Sequence, residues 1–503
     1  MERTSNERPG ENKGDGLELK WWEKKKGISL EDKKRKLQGK QERKIRRERE
    51  RLGLAADDDD DADDDVPKKA SRKKRRGDRA RSFQNDGRRP DRTRTTAYLA
   101  TDRGCLFARS SLPEDALQAM EDFEKIVSSV YPLTSKQRAV LPAQIRSLSH
   151  ELTDEREERR MGYMNETTAL SAYIHYYLWW NVIRLSRVFA NLPQSFFNLT
   201  DGSVCLDIGS GPLTVPIALF LARPELRTKK LTFYCMDLSA QALQAGENIF
   251  LAVAAYLKCE AWRTVRICSS LGDMKMKEKV DFVFSANLFN ELMQVQESDR
   301  GQPPDFLAKK YAVEMLKYIE KKNDSARVFI SEPGVPSCGR LISCLRDSFM
   351  KRNFYPVAPC SHYGKCPMEG KRGGKWCNFA FSTEDAPESI RRFSRSIYIP
   401  KERAVLSFLA LEKIWREEGE AGAPARKDGG VAEFVPGPLS FRISSDPIQL
   451  PGSRTGYYAC SPLGLLLVVT DTELRSGDLL ELELDRLPEH RDEKSGALIL
   501  NIE

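Results

Sequence analysis

Three cysteines, Cys360, Cys366 and Cys377, fall within eighteen residues of a stretch rich in Gly, Lys and Pro, too polar to be a core segment. The chain has eleven cysteines and no apolar signal core at its N-terminus, which points to a reducing compartment, where converging thiolates imply a metal before a disulfide. Zinc and an iron–sulfur cluster both suit thiolates. The spacings are five and ten residues, whereas zinc ribbons use pairs two to four residues apart. A cubane cluster tolerates irregular spacing and a remote fourth ligand, for which Cys460, Cys338, Cys344 and His362 are the candidates. With only four histidines, His150, His175, His362 and His490, chemistry built on His pairs is nearly excluded.

A second set of residues suits an adenosine-bearing cofactor. Asp207-Ile208-Gly209-Ser210-Gly211-Pro212-Leu213 follows an apolar run as a strand-to-helix turn whose glycines let backbone approach a ligand. Leu213 stands where a dinucleotide fingerprint has its third glycine. Asp207 would repel a pyrophosphate but suits a ligand carrying an ammonium group and no phosphate, such as S-adenosylmethionine. Asp237, 26 residues beyond Gly211, can accept from ribose hydroxyls. Asp273 is placed to accept from the adenine amino group, and Asn287 to lie at the methyl-bearing end. The place where amino-methylating enzymes carry a Pro-Pro turn reads Ser285-Ala286-Asn287-Leu288-Phe289. No catalytic residue is therefore assigned.

These residues need strand ends to hold them. Val204–Ile208, Leu231–Met236, Val265–Cys268, Val280–Ser285 and Arg327–Ser331 read as short strands, with helices between them over Leu213–Leu221 and Ala240–Leu257. Strand and helix alternating at this spacing implies a parallel α/β sheet with ligands at the carboxyl ends of its strands. Residues 97–200 read as a helical region, in which Tyr176, Tyr177, Trp179 and Trp180 are core and Arg184 and Arg187 interrupt the apolar spacing. Asn378–Ser382 reads as a strand and Pro400–Arg416 as a helix closing a domain over 201–416, with the cysteine loop at 359–377. Residues 417–435 read as a linker. Short alternating runs at Leu439–Ile443, Gly456–Cys460, Leu463–Thr470 and Leu479–Leu484 suggest a small β-barrel over 436–503.

The net charge of +8 belongs to one end. Residues 1–96 carry 31 Lys and Arg against 22 Asp and Glu, which leaves −1 for the rest. Blocks of one sign, with Asp57–Asp65 nearly all Asp between two basic stretches, stay solvated and act as arms for polyanions. Such a tail is too acid-rich for a mitochondrial presequence, so a cytoplasmic protein of bacterial type is expected. No apolar run reaches the ~18 residues of a membrane helix, so no membrane partner is expected.

Taken together, these motifs resemble the mitochondrial small-ribosomal-subunit methyltransferase-like family, with its fungal relatives and bacterial counterparts. The likeness is carried by Leu206-Asp207-Ile208-Gly209-Ser210-Gly211-Pro212, Asn290-Glu291-Leu292, Glu332-Pro333-Gly334, and Pro359-Cys360-x-His362 through Cys366-Pro367 to Trp376-Cys377-x-Phe379. It runs from about Ala97 to the C-terminus. The resemblance implies a Rossmann-like class I methyltransferase fold, an S-adenosylmethionine pocket, a [4Fe–4S] cluster and association with the small ribosomal subunit and its rRNA. By position, Cys360, Cys366 and Cys377 would be cluster ligands and Cys460 the distal fourth, with zinc as the alternative metal. A monomer is expected. Two functions compete: methylation of rRNA, and a catalytically silent assembly role in which cofactor and cluster are structural.

Overall fold

A computed structural model describes residues 98–99, 104–153, 162–414 and 436–502, apart from 275, 277, 297, 322, 372 and 373. The described residues all belong to the compact unit Arg89–Glu503. The charged arm and the linker expected from the sequence lie outside them. No helix among the described residues is long and apolar enough to cross a membrane.

In chain order the first strands are β1 (Tyr98–Leu99), β2 (Val204–Ile208), β3 (Thr232–Asp237), β4 (Arg263–Cys268) and β5 (Phe282–Ala286). They are followed by β6 (Arg327–Pro333), β7 (Phe354–Ala358), β8 (Phe379–Ser382) and β9 (Arg403–Lys413). Eight of these build one sheet in the order β4-β3-β2-β5-β6-β9-β7, with β8 paired to β9. Strands β4, β3, β2, β5 and β6 run parallel, and β9 runs antiparallel to β6, β7 and β8. The connection order reverses between β2 and β5, which opens a crevice at their carboxyl ends.

Both faces of this sheet are covered, so its central strands are apolar on both sides. On one face Phe233, Phe282, Phe284 and Phe329 share a core with Tyr176, Trp179 and Phe189 of the N-terminal helical region. On the other, Leu206, Val283 and Ile330 pack with the helices Phe289–Val295, Pro304–Leu316 and Pro336–Met350. The expected helix over Pro400–Arg416 is instead β9. Its run Leu406-Ser407-Phe408-Leu409-Ala410-Leu411 is buried on both faces between β6 and β7, and a doubly buried strand has no alternation to tell it from a helix.

The second sheet comprises β1, β10 (Gly437–Ile443), β11 (Ile448–Leu450), β12 (Arg454–Ser461), β13 (Gly464–Val469), β14 (Leu479–Leu484) and β15 (Leu498–Asn501). Its pairing follows β1-β14-β10-β12-β13-β15, with β11 on β12. Among the described residues this path is open, so the closed barrel expected from the alternating runs is not seen. Alternation fixes which face is buried but not whether the ends of a sheet meet. Phe441, Tyr457, Leu466, Val468 and Leu482 form its core.

Candidate cofactor cleft and cysteine loop

Strand β2 ends at Ile208, and the chain turns through Gly209 and Gly211, both at positive φ (71° and 52°), before the helix Thr214–Ala222 begins. A Cβ at Gly209 would stand 2.9 Å from the Leu288 side chain, and one at Gly211 3.3 Å from Met164 Cε. The turn is fixed from below by a residue that sequence reasoning missed. Gly246, in the helix Ala240–Tyr256, packs so tightly that a Cβ there would lie 2.3 Å from the Pro212 carbonyl carbon. A lone glycine inside an Ala-rich helix was the available signal, since it costs stability unless close packing requires it.

A cleft partly open to solvent lies over this turn. Asp207, Gly209, Gly211, Asp237 and Asn287 line it together with Tyr163, Met164, Tyr173 and Glu291. Five of the six residues expected at a cofactor site are thus brought together. Asp273 is not: it is exposed, follows β4 in a turn, and accepts from the Ser270 hydroxyl.

The two acids differ. Both oxygens of Asp237 accept backbone N–H groups, from Gly211 and Ser239 at 2.9 Å each. Burial raises its pKa while those N–H groups pull it down. A carboxylate oxygen can accept twice, so the carboxyl that shapes the turn keeps capacity toward the cleft. Asp207 is fully buried; one oxygen accepts from the Ser210 hydroxyl at 2.6 Å, and the other has no partner. Burial pushes its pKa up to about 7, and Ser210 only partly opposes that.

At the far edge, Asn287 sits at φ 61° and its side-chain oxygen accepts from Arg184 at 3.0 Å. The motif residues Asn290 and Glu332 prove to be partners. Buried Glu332 accepts from the Phe289 and Asn290 backbone N–H groups, at 2.8 and 3.1 Å, and from the Asn290 side chain at 2.9 Å. It thereby caps the helix after β5 and fixes the Asn287 turn, while burial raises its pKa to about 7.

The cysteine loop joins the two sheets. Cys360, Cys366 and Cys377 follow β7, and Cys460 lies on β12. Burial raises the Cys460 thiol well above its ordinary 9.0, and Cys366, Cys360 and Cys377 each add to the shift. Cys338 is buried in the same helix as Cys344, whose thiol is raised mainly by burial. His362 Nε2 stands 3.2 Å from Cys460 Sγ, and burial together with Arg346 lowers the imidazole to about 3. Two buried arginines pin the loop. Arg346 donates to the His362 and Gly364 carbonyls at 3.0 and 2.7 Å, and Arg442, from the second sheet, donates to the Pro359 carbonyl at 2.5 Å. Burial opposes the Arg346 charge, but Cys360, Cys366 and Asp347 more than offset it, so its pKa is raised. Among the described residues no group of three or more His, Cys, Asp or Glu side chains has the arrangement to hold a metal ion. The expected metal loop is present as a cysteine-lined loop.

The family model described as mitochondrial small ribosomal subunit Rsm22 matches residues 168–426, just over half of the 503-residue chain. No curated protein matches. Solved structures similar to this chain include ribosomal protein L11 methylase from Lactobacillus delbrueckii subsp. bulgaricus, at 10% identity and TM-score 0.25, covering 46% of this chain and 79% of that one. An rRNA methylase from Streptococcus thermophilus is 13% identical with TM-score 0.21, covering 44% and 92%. A SAM-dependent methyltransferase from Geobacter sulfurreducens, in complex with S-adenosyl-L-homocysteine, is 13% identical with TM-score 0.24, covering 46% and 90%. At TM-scores this low, none of the three bears on what the cleft does.

Proposed function

The chain belongs to the mitochondrial small ribosomal subunit Rsm22 family, and on that premise we propose that it binds S-adenosylmethionine and acts on the small ribosomal subunit through its rRNA. The observation that carries the cofactor is the cleft. A glycine turn, a half-satisfied buried Asp207 and the carboxyl of Asp237 converge at the strand ends where open α/β sheets bind ligands. Gly209 and Gly211 admit the ligand to the backbone, Asp237 accepts from the ribose, and Asp207 supports the ammonium end through the turn. When bound, the cofactor supplies an electrophilic methyl group.

One observation favours the silent reading. Asn287 stands where an amine nucleophile would be held, but its side-chain oxygen is already engaged by the Arg184 guanidinium. A fixed cation there disfavours an amine about to become positive. The protein is then an assembly factor that keeps its cofactor for structure.

For the loop, the proposed occupant is a [4Fe–4S] cluster on Cys360, Cys366, Cys377 and Cys460, with zinc as the alternative. Support comes from the loop's reach to the second sheet, where His362 Nε2 stands 3.2 Å from Cys460 Sγ, and from the buried Arg346 that donates to the loop carbonyls. Cluster thiolates each bind a different corner iron and need not crowd a single ion. Anaerobically prepared protein should carry about four iron and four sulfide per chain; stoichiometric zinc without iron would overturn the cluster. The family is named for mitochondria, so the cytoplasmic expectation drawn from the acidic arm gains no support from it. We take the working form to be a monomer.

Co-sedimentation of the full chain with small subunits tests the assignment, and its absence would refute it. Mapping rRNA methylation in a strain lacking the protein separates the two functions: a lost methyl group means an enzyme, and an unchanged map means a silent factor.

A further inference from the structure

We propose that Arg184 and Lys401 form a phosphate seat on the rim of the cleft, for a backbone phosphate of the RNA strand. This rests on the rRNA reading above for its source, but the site is drawn from the geometry.

The two cations come from different elements. Arg184 lies on the helix Trp179–Asn191, and Lys401 lies two residues before β9. The register sets Leu406 opposite Pro333 at the carboxyl end of β6, so the start of β9 runs beyond the ends of the parallel strands, where the cleft opens. A chain of contacts joins the two. Lys401 Nζ is 5.8 Å from the Tyr177 ring centroid, and Tyr177 stacks on Tyr173 at 5.8 Å. The Tyr173 hydroxyl accepts from Asn181, whose oxygen accepts from Arg184 at 2.9 Å. Tyr173 and Asn287 line the cleft; Arg184 and Lys401 do not, so the seat lies outside the cofactor's space.

Neither cation bonds a carboxylate among the described residues. Arg184 Nε is buried without a partner. Glu332, the acid whose charge reaches Arg184, has its oxygens occupied by Phe289 and Asn290. Burial and then the Arg184 charge hold the Lys401 ammonium below its usual range. Two partly desolvated like charges without a counterion are costly, and an oxyanion between them removes the cost. Independently, the tyrosines are presented by a π-helix over Tyr173–Leu178, a rare element that is frequent at functional sites.

The test titrates the full chain with a mixed-sequence single-stranded RNA oligonucleotide over a range of salt, alongside Lys401→Met and Arg184→Gln. Each substitution should weaken RNA binding about three- to tenfold and flatten the log K against log salt slope by about 0.7. S-adenosylmethionine affinity should not change in Lys401→Met, which also serves if Arg184→Gln does not fold. In parallel, inorganic phosphate should raise the melting temperature of the wild type more than that of Lys401→Met. Wild-type RNA affinity and slope in Lys401→Met would overturn the seat. So would weakened cofactor binding with unchanged RNA binding, which would give the site to the cofactor's carboxylate. A chain that binds no RNA, yet is protected by phosphate through Lys401, fails the rRNA reading and overturns the strand as the source.

Discussion

The cofactor cleft and the cysteine loop are built by opposite strategies. The cleft grows from local turns: Gly209 and Gly211 in one, Asp237 at the next strand end and Asn287 at another, all placed by the parallel strands of a single sheet. The cysteine site draws on both sheets. His362 and Cys460 touch although they are 98 residues apart, and Arg442 of the second sheet holds the loop at Pro359. The first site needs only the first sheet and the helical region packed on it. The second exists only when two sheets dock, which makes it a reporter of that docking.

The sharpest way to break the cleft alone is at Gly246. A valine there would drive side-chain carbon into the Pro212 and Leu213 backbone, at 2.3 to 2.7 Å for Cβ alone, and backbone cannot rotate aside. Gly246→Val should cost about 3 kcal/mol or more by denaturant titration and abolish cofactor binding. A stability within 1 kcal/mol of wild type would show that the turn does not depend on that contact.

The pH dependence sharpens the same side. Asp207 is raised from its ordinary 3.8 to about 7 by burial. Below about pH 4 both folded and unfolded chains hold the proton. Between 4 and 7 only the folded chain holds it, so stability falls as pH rises, by up to ~1.4 kcal/mol per unit; above 7 the loss is complete. Asp207→Asn should flatten that fall in a series of melting temperatures and be the more stable protein at pH 8. Glu332, pushed to about 7 by the same burial, leaves a residual slope in the variant. Parallel curves for the two proteins would mean Asp207 is ionised throughout.

A third change separates the sites. Cys460→Ser should lose its iron and be cut faster by protease within residues 415–435, while S-adenosylmethionine affinity stays at the wild-type value. Full iron retention would move the fourth ligand to His362, Cys338 or Cys344, and a matching loss of cofactor affinity would show that the sites are one.

The contrast also explains what was readable. The five parallel strands and the helices after β2 and β3 were legible because each couples a short apolar run to a turn. Asp207, Gly209, Gly211, Asp237 and Asn287 follow directly from those strand ends. Asp273 lies outside the cleft lining because a strand end sets only a direction, and the turn after β4 carries it out to solvent. Strand β9 was read as a helix because burial on both faces erases alternation. Arg184 showed only as a charge interrupting an apolar face, and its partner Asn287 is 103 residues away. At the cysteine loop the residue types were legible, but the arginines that pin it were not, since nothing local marks an arginine that will be buried between two sheets.

Calorimetric titration of the full chain with S-adenosylmethionine, wild type beside Asp237→Ala, tests the central claim most directly. The wild type should bind one equivalent. The variant loses a charged acceptor and the anchor of Gly211, and should bind more weakly by about 1.5–3 kcal/mol, roughly 10- to 150-fold. Equal affinity in the two proteins would remove Asp237 from the site, and a wild type that binds no cofactor would contradict the account of the cleft.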